Sequence, residues 1–376
     1  MMSKKTKEAS TINDEELTQY FRKELGNNGT KEKVEHFIST GSTLLDYAIA
    51  NQKDGGVPAG RIIEICGNEA SGKSLLAYHI MANTQKKGGV VFYIDTERAY
   101  NQKFMERMGV SLKKQFVMPE PIPNSIEEVF DYIEKIITLT RVKFPKKDIP
   151  ITIVWDSVAA TAGKEELERT HEDVARMGTE ARAMSRSMRK LMTALDAGYV
   201  TLVCINQLRE KMNVSFGDSE TTPHGKALPF YASVRIKLKS LKQIKDTQTG
   251  RTLGVSTQAK VFKNKIGPSH RTVDFPLFFD WGVNDEASWL EFMKDGEVVK
   301  TSGPWSTISV GGEDFKFQGP AGWIDVLKNE NVKKFVLEKI NERMTIPFDR
   351  RPESTITVDT DSILEIESIK QELESA

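Results

Sequence analysis

Eight consecutive residues carry the most chemistry in this sequence. Gly67, Asn68, Glu69, Ala70, Ser71, Gly72, Lys73 and Ser74 fit the pattern G-x-x-x-x-G-K-[ST]. A phosphate chain needs a concave run of backbone N–H groups with no side chains in the way, and glycines that open onto a helix N-terminus supply one. Lys73 adds a cation for β- and γ-phosphates, and Ser74 adds a hydroxyl for Mg²⁺. The pattern points to ATP held with Mg²⁺. Farther along, Ile151–Asp156 is an apolar run ending in an acid, the form that sets a carboxylate beside such a metal through water. Between them, Asp95, Thr96 and Glu97 make a second acidic strand end, open to two readings: a carboxylate that orients attacking water, or a turn or helix cap.

The elements that must hold these residues alternate between strand and helix. An apolar run from Arg61 to Cys66 precedes the glycine-rich turn, a helix follows through Gln85, and Val90–Asp95 is the next strand. Ser125 and Glu128 form a capping-box signature for a helix to about Val142, and Ile151–Trp155 reads as a buried strand. A helix over about Thr179–Leu195 then feeds a strand from Tyr199 to Ile205. This alternation predicts an α/β fold, a mostly parallel sheet flanked by helices with ligands at the carboxyl ends of its strands. After Gln207 a polar stretch without a period runs to about Ala227. Strands at Ser233–Leu241, Ser256–Asn264 and Thr272–Phe279, with a turn over Lys245–Gly250, then read as an antiparallel extension.

Four segments result. Residues 1–33 carry one short amphipathic helix, Glu15–Leu25, and a linker; residues 34–284 form the core. Residues 285–350, with a Trp-bearing stretch at Pro304 and Trp305, suggest a small α+β domain. Residues 351–376 form an acidic tail, read as a solvated, disordered end or a regulatory element.

The chain has 376 residues, 39% apolar and 28% charged, which suits a soluble globular protein with a substantial core. Lys plus Arg equals Asp plus Glu at 53 each, so net charge gives no argument for a nucleic-acid partner; the acidic tail does leave the remainder net basic. No run is long and apolar enough for a membrane span, and the polar Met1–Asp14 lacks the apolar region of a signal peptide, so a cytosolic protein is expected. Two cysteines, Cys66 and Cys204, sit in apolar runs; a disulfide framework or metal cluster needs more.

Taken in order, the blocks Ile38–Ser42, Gly67–Ser74, Asp95–Glu97, Asp156–Ala160, Met188–Leu191, Asn206 and Gln207, Phe230–Arg235 and Lys263–Ile266 give a specific signature. Over about Val34 to Trp323 the chain resembles bacterial RecA-type recombinases, phage-encoded members included. The resemblance implies a P-loop ATPase core of that type and a homo-oligomeric helical filament on single-stranded DNA, with ATP between adjacent subunits. It further implies DNA-stimulated ATP hydrolysis, homologous pairing with double-stranded DNA, strand exchange, and a place in repair and the SOS response, with single-strand-binding and mediator proteins as partners. Carried over by position, Glu97 is the general base, Asp156 the acid at the metal, and Gln207 the sensor coupling the γ-phosphate to DNA. Lys263 and Lys265 reach the neighbour's phosphates, although such a pair read alone is a solvated strand face. Asn101 and Phe104 fall where the family sets Asp and Tyr around adenine, and Phe230 and the N-terminal helix fall at subunit contacts.

Two loops are implied to bind DNA, at about Glu168–Gly178 and Leu208–Gly225. The sequence supports the second independently, since a long run without periodicity inside a compact core is uncommon unless functional. It holds Arg209 and Lys211 for phosphates, Met212 and Phe216 as apolar wedges, and Gly225; the first holds Arg169, Arg176 and Met177. Arg182, Arg186 and Arg189 at near-helical spacing either extend this surface or form an ordinary solvated face. His224, Lys226 and Pro229 depart from the family's Gly, Asn and Lys. A ring helicase of the same superfamily and a non-hydrolysing accessory factor are the alternatives. A small-molecule kinase explains neither the second loop nor Lys263 and Lys265.

Overall fold

The structure, a computed structural model, describes residues 19, 20, 23, 34, 36–144, 149–168, 178–195, 200–210 and 220–347. The chain through Met344 forms one compact unit, and Thr345–Ala376 form a second, of which residues 345–347 are described. Of the N-terminal helix only residues 19, 20 and 23 are described, and the acidic tail lies outside the described residues.

In chain order the main elements are α1 (Thr43–Ala50), β1 (Ile62–Gly67), α2 (Lys73–Lys86), β2 (Val90–Asp95), α3 (Gln102–Arg107), β3 (Phe116–Val117), α4 (Ile126–Lys143), β4 (Ile151–Asp156), α5 (Thr179–Leu195) and β5 (Val200–Gln207). Then follow β6 (Val234–Lys245), β7 (Thr252–Asn264), β8 (Arg271–Phe278) and β9 (Gly282–Val283). These nine strands form one sheet in the order β9-β8-β7-β6-β1-β5-β4-β2-β3. From β6 to β3 all neighbours are parallel, and β7, β8 and β9 extend the sheet antiparallel, so the predicted mixed sheet is the observed one.

The parallel strands are buried on both faces, which is why they read as apolar runs rather than alternating ones. Successive residues nonetheless part to opposite sides, as the strand period of two requires. Ile63 and Ile65 of β1 join Val203, Ile205, Val154 and Tyr93 on one face; Ile62 joins Leu202, Cys204, Ile153 and Trp155 on the other. Helix α2 covers the first face through Leu76, Ala77, Ile80 and Met81. Helices α4 and α5 cover the second through Ile126, Phe130, Ile133, Met184, Met188 and Leu191. Fully burying each such aliphatic side chain contributes about 1.5–3 kcal/mol, so the two layers hold the sheet rigid where its strands end.

Local signals set the helix starts. Ser125 Oγ accepts from the Glu128 backbone N–H at 3.2 Å, capping α4, while Glu128 Oε2 accepts from the Asn124 N–H at 2.8 Å. The β6–β7 hairpin is longer than the predicted strands, because residues 242–245 pair with residues 252–256 beyond the end of β1. There β6 carries mostly polar, exposed residues and loses the alternating burial of its first half.

Beyond β9 come α6 (Asp285–Asp295), a three-stranded antiparallel sheet of β10 (Val299–Ser302), β11 (Trp305–Val310) and β12 (Glu313–Phe317), then α7 (Gly319–Leu327) and α8 (Glu330–Met344). Trp323, fully buried, donates from its indole N–H to the Glu286 carbonyl at 2.8 Å. This segment shares one continuous apolar cluster with the α2 side of the large sheet, with Trp289, Met293, Val336 and Ile340 joining Leu45, Ile49 and Phe275. Among the described residues no helix is long and apolar enough to cross a membrane.

Candidate nucleotide and DNA site

β1, β5, β4 and β2 run parallel and end at Gly67, Gln207, Asp156 and Asp95, so the residues singled out from sequence meet along one sheet end. The turn after β1 has no room for a side chain at either of its glycines. A Cβ at Gly67 would lie 2.4 Å from the Leu238 carbonyl oxygen, and one at Gly72, whose φ is +93°, would lie 2.1 Å from Leu277. Ser71 Oγ donates to the Asn68 carbonyl at 2.8 Å, and Lys73 Nζ donates to the same oxygen at 2.7 Å. Burial lowers the Lys73 ammonium's pKa, while Asp156 and Glu97 act to raise it. The loop is thus a cradle of backbone ending at α2, with one cation beside it.

Across from it, Asp156 is nearly buried and accepts at Oδ2 from Ser74 Oγ and from Tyr93 Oη, each at 2.8 Å. Burial pushes the Asp156 carboxyl up to about 6, opposed by those two hydrogen bonds and reinforced by Glu97 and Asp95. Ser157 Oγ donates to Glu97 Oε1, and the Thr96 N–H donates to the Asp156 carbonyl at 2.8 Å, which ties the ends of β2 and β4 together. A serine hydroxyl against a carboxylate is a hard-oxygen donor pair that fits Mg²⁺, whose remaining positions go to phosphate and water. Asp95 does something different: its two oxygens accept from the Ala99 and Tyr100 N–H groups, so it folds the following loop. Asn101 caps α3 by accepting from the Phe104 N–H at 3.2 Å, and Phe104 is partly exposed.

A model of the RecA N-terminal domain matches residues 13–284, well over half of the chain. Curated proteins named Protein RecA are similar: 37% identical over 80% of this chain and 62% of that of Tropheryma whipplei, 40% over 71% and 70% for Chloroherpeton thalassium, and 38% over 82% and 82% for Rubrobacter xylanophilus. The chain belongs to the RecA family. Members of that family are ATP-dependent DNA recombinases that act in recombination and repair. Among solved structures, that of the RadB recombinase aligns at 19% identity with a TM-score of 0.46, covering 66% of this chain and 98% of that one.

Within this RecA-family chain the two loops expected to bind DNA are only partly described. Arg169, Arg176, Met177, Lys211, Met212 and Phe216 lie outside the described residues. Arg209 is exposed, on a short ladder in which Arg209–Glu210 pairs with Glu220–Thr221. Gly225, at φ +78°, lets the end of the second loop approach α5, since a Cβ there would sit 2.9 Å from Ala181 Cβ. Arg182, Arg186 and Arg189 are all exposed on α5, opposite the buried Met184, Met188 and Leu191.

Lys263 and Lys265 are not brought to the chain's own P-loop. Lys263 pairs with Arg235, which is level with Glu64, whereas the P-loop begins beyond Gly67, level with Leu238. At about 3.3 Å per residue the lysines stand roughly 10 Å back toward the other end of the sheet. There Lys263 Nζ donates to the Pro229 and Phe230 carbonyls at 2.6 and 2.8 Å, and Lys265 Nζ to Phe230 at 3.3 Å. Burial, with Lys265 and Arg235 nearby, lowers the Lys263 ammonium's pKa to about 8. Phe230 itself is 68% exposed.

Sequence reasoning missed a polar chain beside Gln207. The Gln207 N–H donates to Asn206 Oδ1 at 3.0 Å, Asn206 Nδ2 donates to Glu64 Oε1 at 3.0 Å, and Arg235 Nε donates to Glu64 Oε2. Arg235 also lies over the Phe262 ring, 4.5 Å from its centroid. Glu64 and Asn206 are fully buried. The signal was present: a lone acid inside an otherwise apolar strand demands a buried partner.

Proposed function

We propose that the chain assembles as a helical filament on single-stranded DNA and uses ATP binding and hydrolysis to drive homologous pairing and strand exchange with a duplex, in the cytoplasm. One observation carries the reading: Ser74, Asp156 and Glu97 converge at parallel strand ends beside a backbone cradle with Lys73. In this scheme the N–H groups of Gly67, Asn68, Glu69, Ala70, Ser71 and Gly72 cradle the phosphates, and Lys73 neutralises them. Ser74 and Asp156 would hold Mg²⁺, which when bound would supply positive charge against the phosphates. Glu97, held by Ser157, aligns and deprotonates the attacking water. Phe104 stacks on the base beside Asn101, and Gln207 senses the γ-phosphate.

Lys263 and Lys265 serve the site of the next subunit, a role supported by their distance from the P-loop of their own chain. Phe230, a large aromatic left 68% exposed, is available to a subunit contact. Arg209, the α5 arginines and the two loops bind the DNA backbone and leave base edges free, so sequence is read by base pairing. Accessory single-strand-binding and mediator proteins load the filament. ATP hydrolysis with and without single-stranded DNA, over a salt series, tests this reading. DNA is expected to stimulate turnover, salt to suppress the stimulation, and Lys73→Ala and Phe216→Ala to abolish or impair it. Turnover indifferent to DNA would refute the proposal.

A further inference from the structure

His224 stands at the end of the second DNA loop, in a left-handed backbone conformation with φ of +62°. Only 5% of its side chain is exposed. Its Nε2 lies 2.9 Å from the Val158 carbonyl oxygen, and its Nδ1 lies 3.0 Å from Glu180 Oε2. Each partner has a position that matters. Val158 begins the short turn after β4, two residues past Asp156 and next to Ser157, which holds Glu97. Glu180 is in the first turn of α5, immediately after the first DNA loop. One imidazole therefore bridges the exit of the catalytic strand and the flanks of both DNA loops. Gly225 packed on Ala181 fixes the same junction from the next residue.

The chemistry of the bridge is definite. A carbonyl only accepts, so Nε2 must carry a proton toward Val158. Nδ1 and a carboxylate oxygen at 3.0 Å need a second proton between them, on the ring or on Glu180. Arg209 and Glu166 are the other charged groups that act on the ring.

We propose that His224 is a positioning residue that transmits DNA engagement to the ATP site, by holding the Val158 turn in register with the loop ends. It rests on the proposed DNA-stimulated ATPase, and it goes beyond that reading in naming a link that a glycine at this position cannot make.

The test measures ATP turnover at zero and saturating single-stranded DNA for wild type, His224→Gly, Glu180→Leu and Glu180→Gln. Glycine accepts the left-handed backbone, so His224→Gly tests the side chain without adding backbone strain. It and Glu180→Leu are expected to lower the DNA-stimulated kcat, relative to the rate without DNA, by about tenfold, within the range of typical site-to-site coupling, while the KM for ATP holds. Glu180→Gln supplies an amide donor to Nδ1 and should keep the stimulation. Full stimulation in His224→Gly, or equal behaviour of the two Glu180 variants, would overturn the proposal. Equal loss with and without DNA would also overturn it, since that marks a purely structural role. A wild type that DNA does not stimulate would remove the underlying reading instead, and this proposal with it.

Discussion

The Glu64–Arg235 pair gives a quantitative test of how the sheet is held beneath the site. Glu64 on β1 is fully buried, and Arg235 on β6 is 16% exposed at its side chain. Glu64→Leu leaves the guanidinium uncompensated, about 3–5 kcal/mol, and leaves the Asn206 amide without its acceptor, about 1–3 kcal/mol more. The expected cost is on the order of 5 kcal/mol, a large part of the 5–15 kcal/mol that holds a typical domain. Arg235→Leu strands a buried carboxylate and should cost about 3–5 kcal/mol. Replacing both removes the charges together, leaving chiefly the orphaned Asn206 donor at about 1–3 kcal/mol. The double variant should therefore be more stable than Glu64→Leu alone, with a coupling energy of several kcal/mol. Urea unfolding of the four proteins, followed by far-UV circular dichroism, measures this cycle. Additive costs would show that the two side chains do not act as a buried ion pair, and the account of the polar chain to Gln207 would fall with it.

Other outcomes follow from the same geometry. Burial raises the Asp46 carboxyl from 3.8 to about 7, while hydrogen bonds from Thr40 at 2.7 and 2.8 Å oppose the shift. Between about pH 4 and 7 the folded chain keeps a proton that the unfolded chain has released, so stability falls as the pH rises through that window, by on the order of 4 kcal/mol. Asp46→Asn cannot ionise, so urea midpoints across pH 4–8 should decline less steeply than those of wild type; parallel curves would contradict the assignment. For the lysines, Lys73→Ala and Lys263→Ala should each be inactive alone. Mixed one to one, they should regain roughly one quarter of wild-type turnover, the share of intact junctions in a random head-to-tail assembly. No recovery in the mixture would count against delivery of Lys263 to a neighbour.

Much of the nucleotide site was legible because local rules fix it. A cradle needs glycine where φ is positive or a backbone passes close, and Gly72 meets the first demand and Gly67 the second. Strand ends that carry acids after apolar runs pointed to Asp156 and to the Asp95–Glu97 pair, and the family resemblance alone singled out Glu97 within that pair. What stayed hidden depends on pairs distant in sequence. Asp95 and Glu97 are two residues apart and chemically alike, yet one folds a loop and the other is held by Ser157; only the path after β2 separates them. Tyr93 looked like one more apolar strand residue until its hydroxyl met Asp156. His224 was visible as a departure from the family, but its two partners lie 44 and 66 residues away.

The placement of Lys263 and Lys265 bears on how an isolated chain and the proposed filament differ. Both ammonium groups are engaged with carbonyls of the Pro229–Phe230 segment, and Lys265 also lies over the Phe230 ring, 5.8 Å from its centroid. On the proposed reading, a neighbour that covers Phe230 touches the same short helix whose carbonyls hold the lysines. Delivery to a phosphate must exchange two ammonium–carbonyl contacts on Lys263 for contacts in which the acceptor also carries charge. The exchange favours the phosphate only while the amine is protonated, and burial already lowers Lys263 to about 8. On that reading, subunit contact and completion of the ATP site are linked through one five-residue helix, Ala227–Tyr231, which follows closely on His224 and Gly225 at the end of the loop proposed to bind DNA.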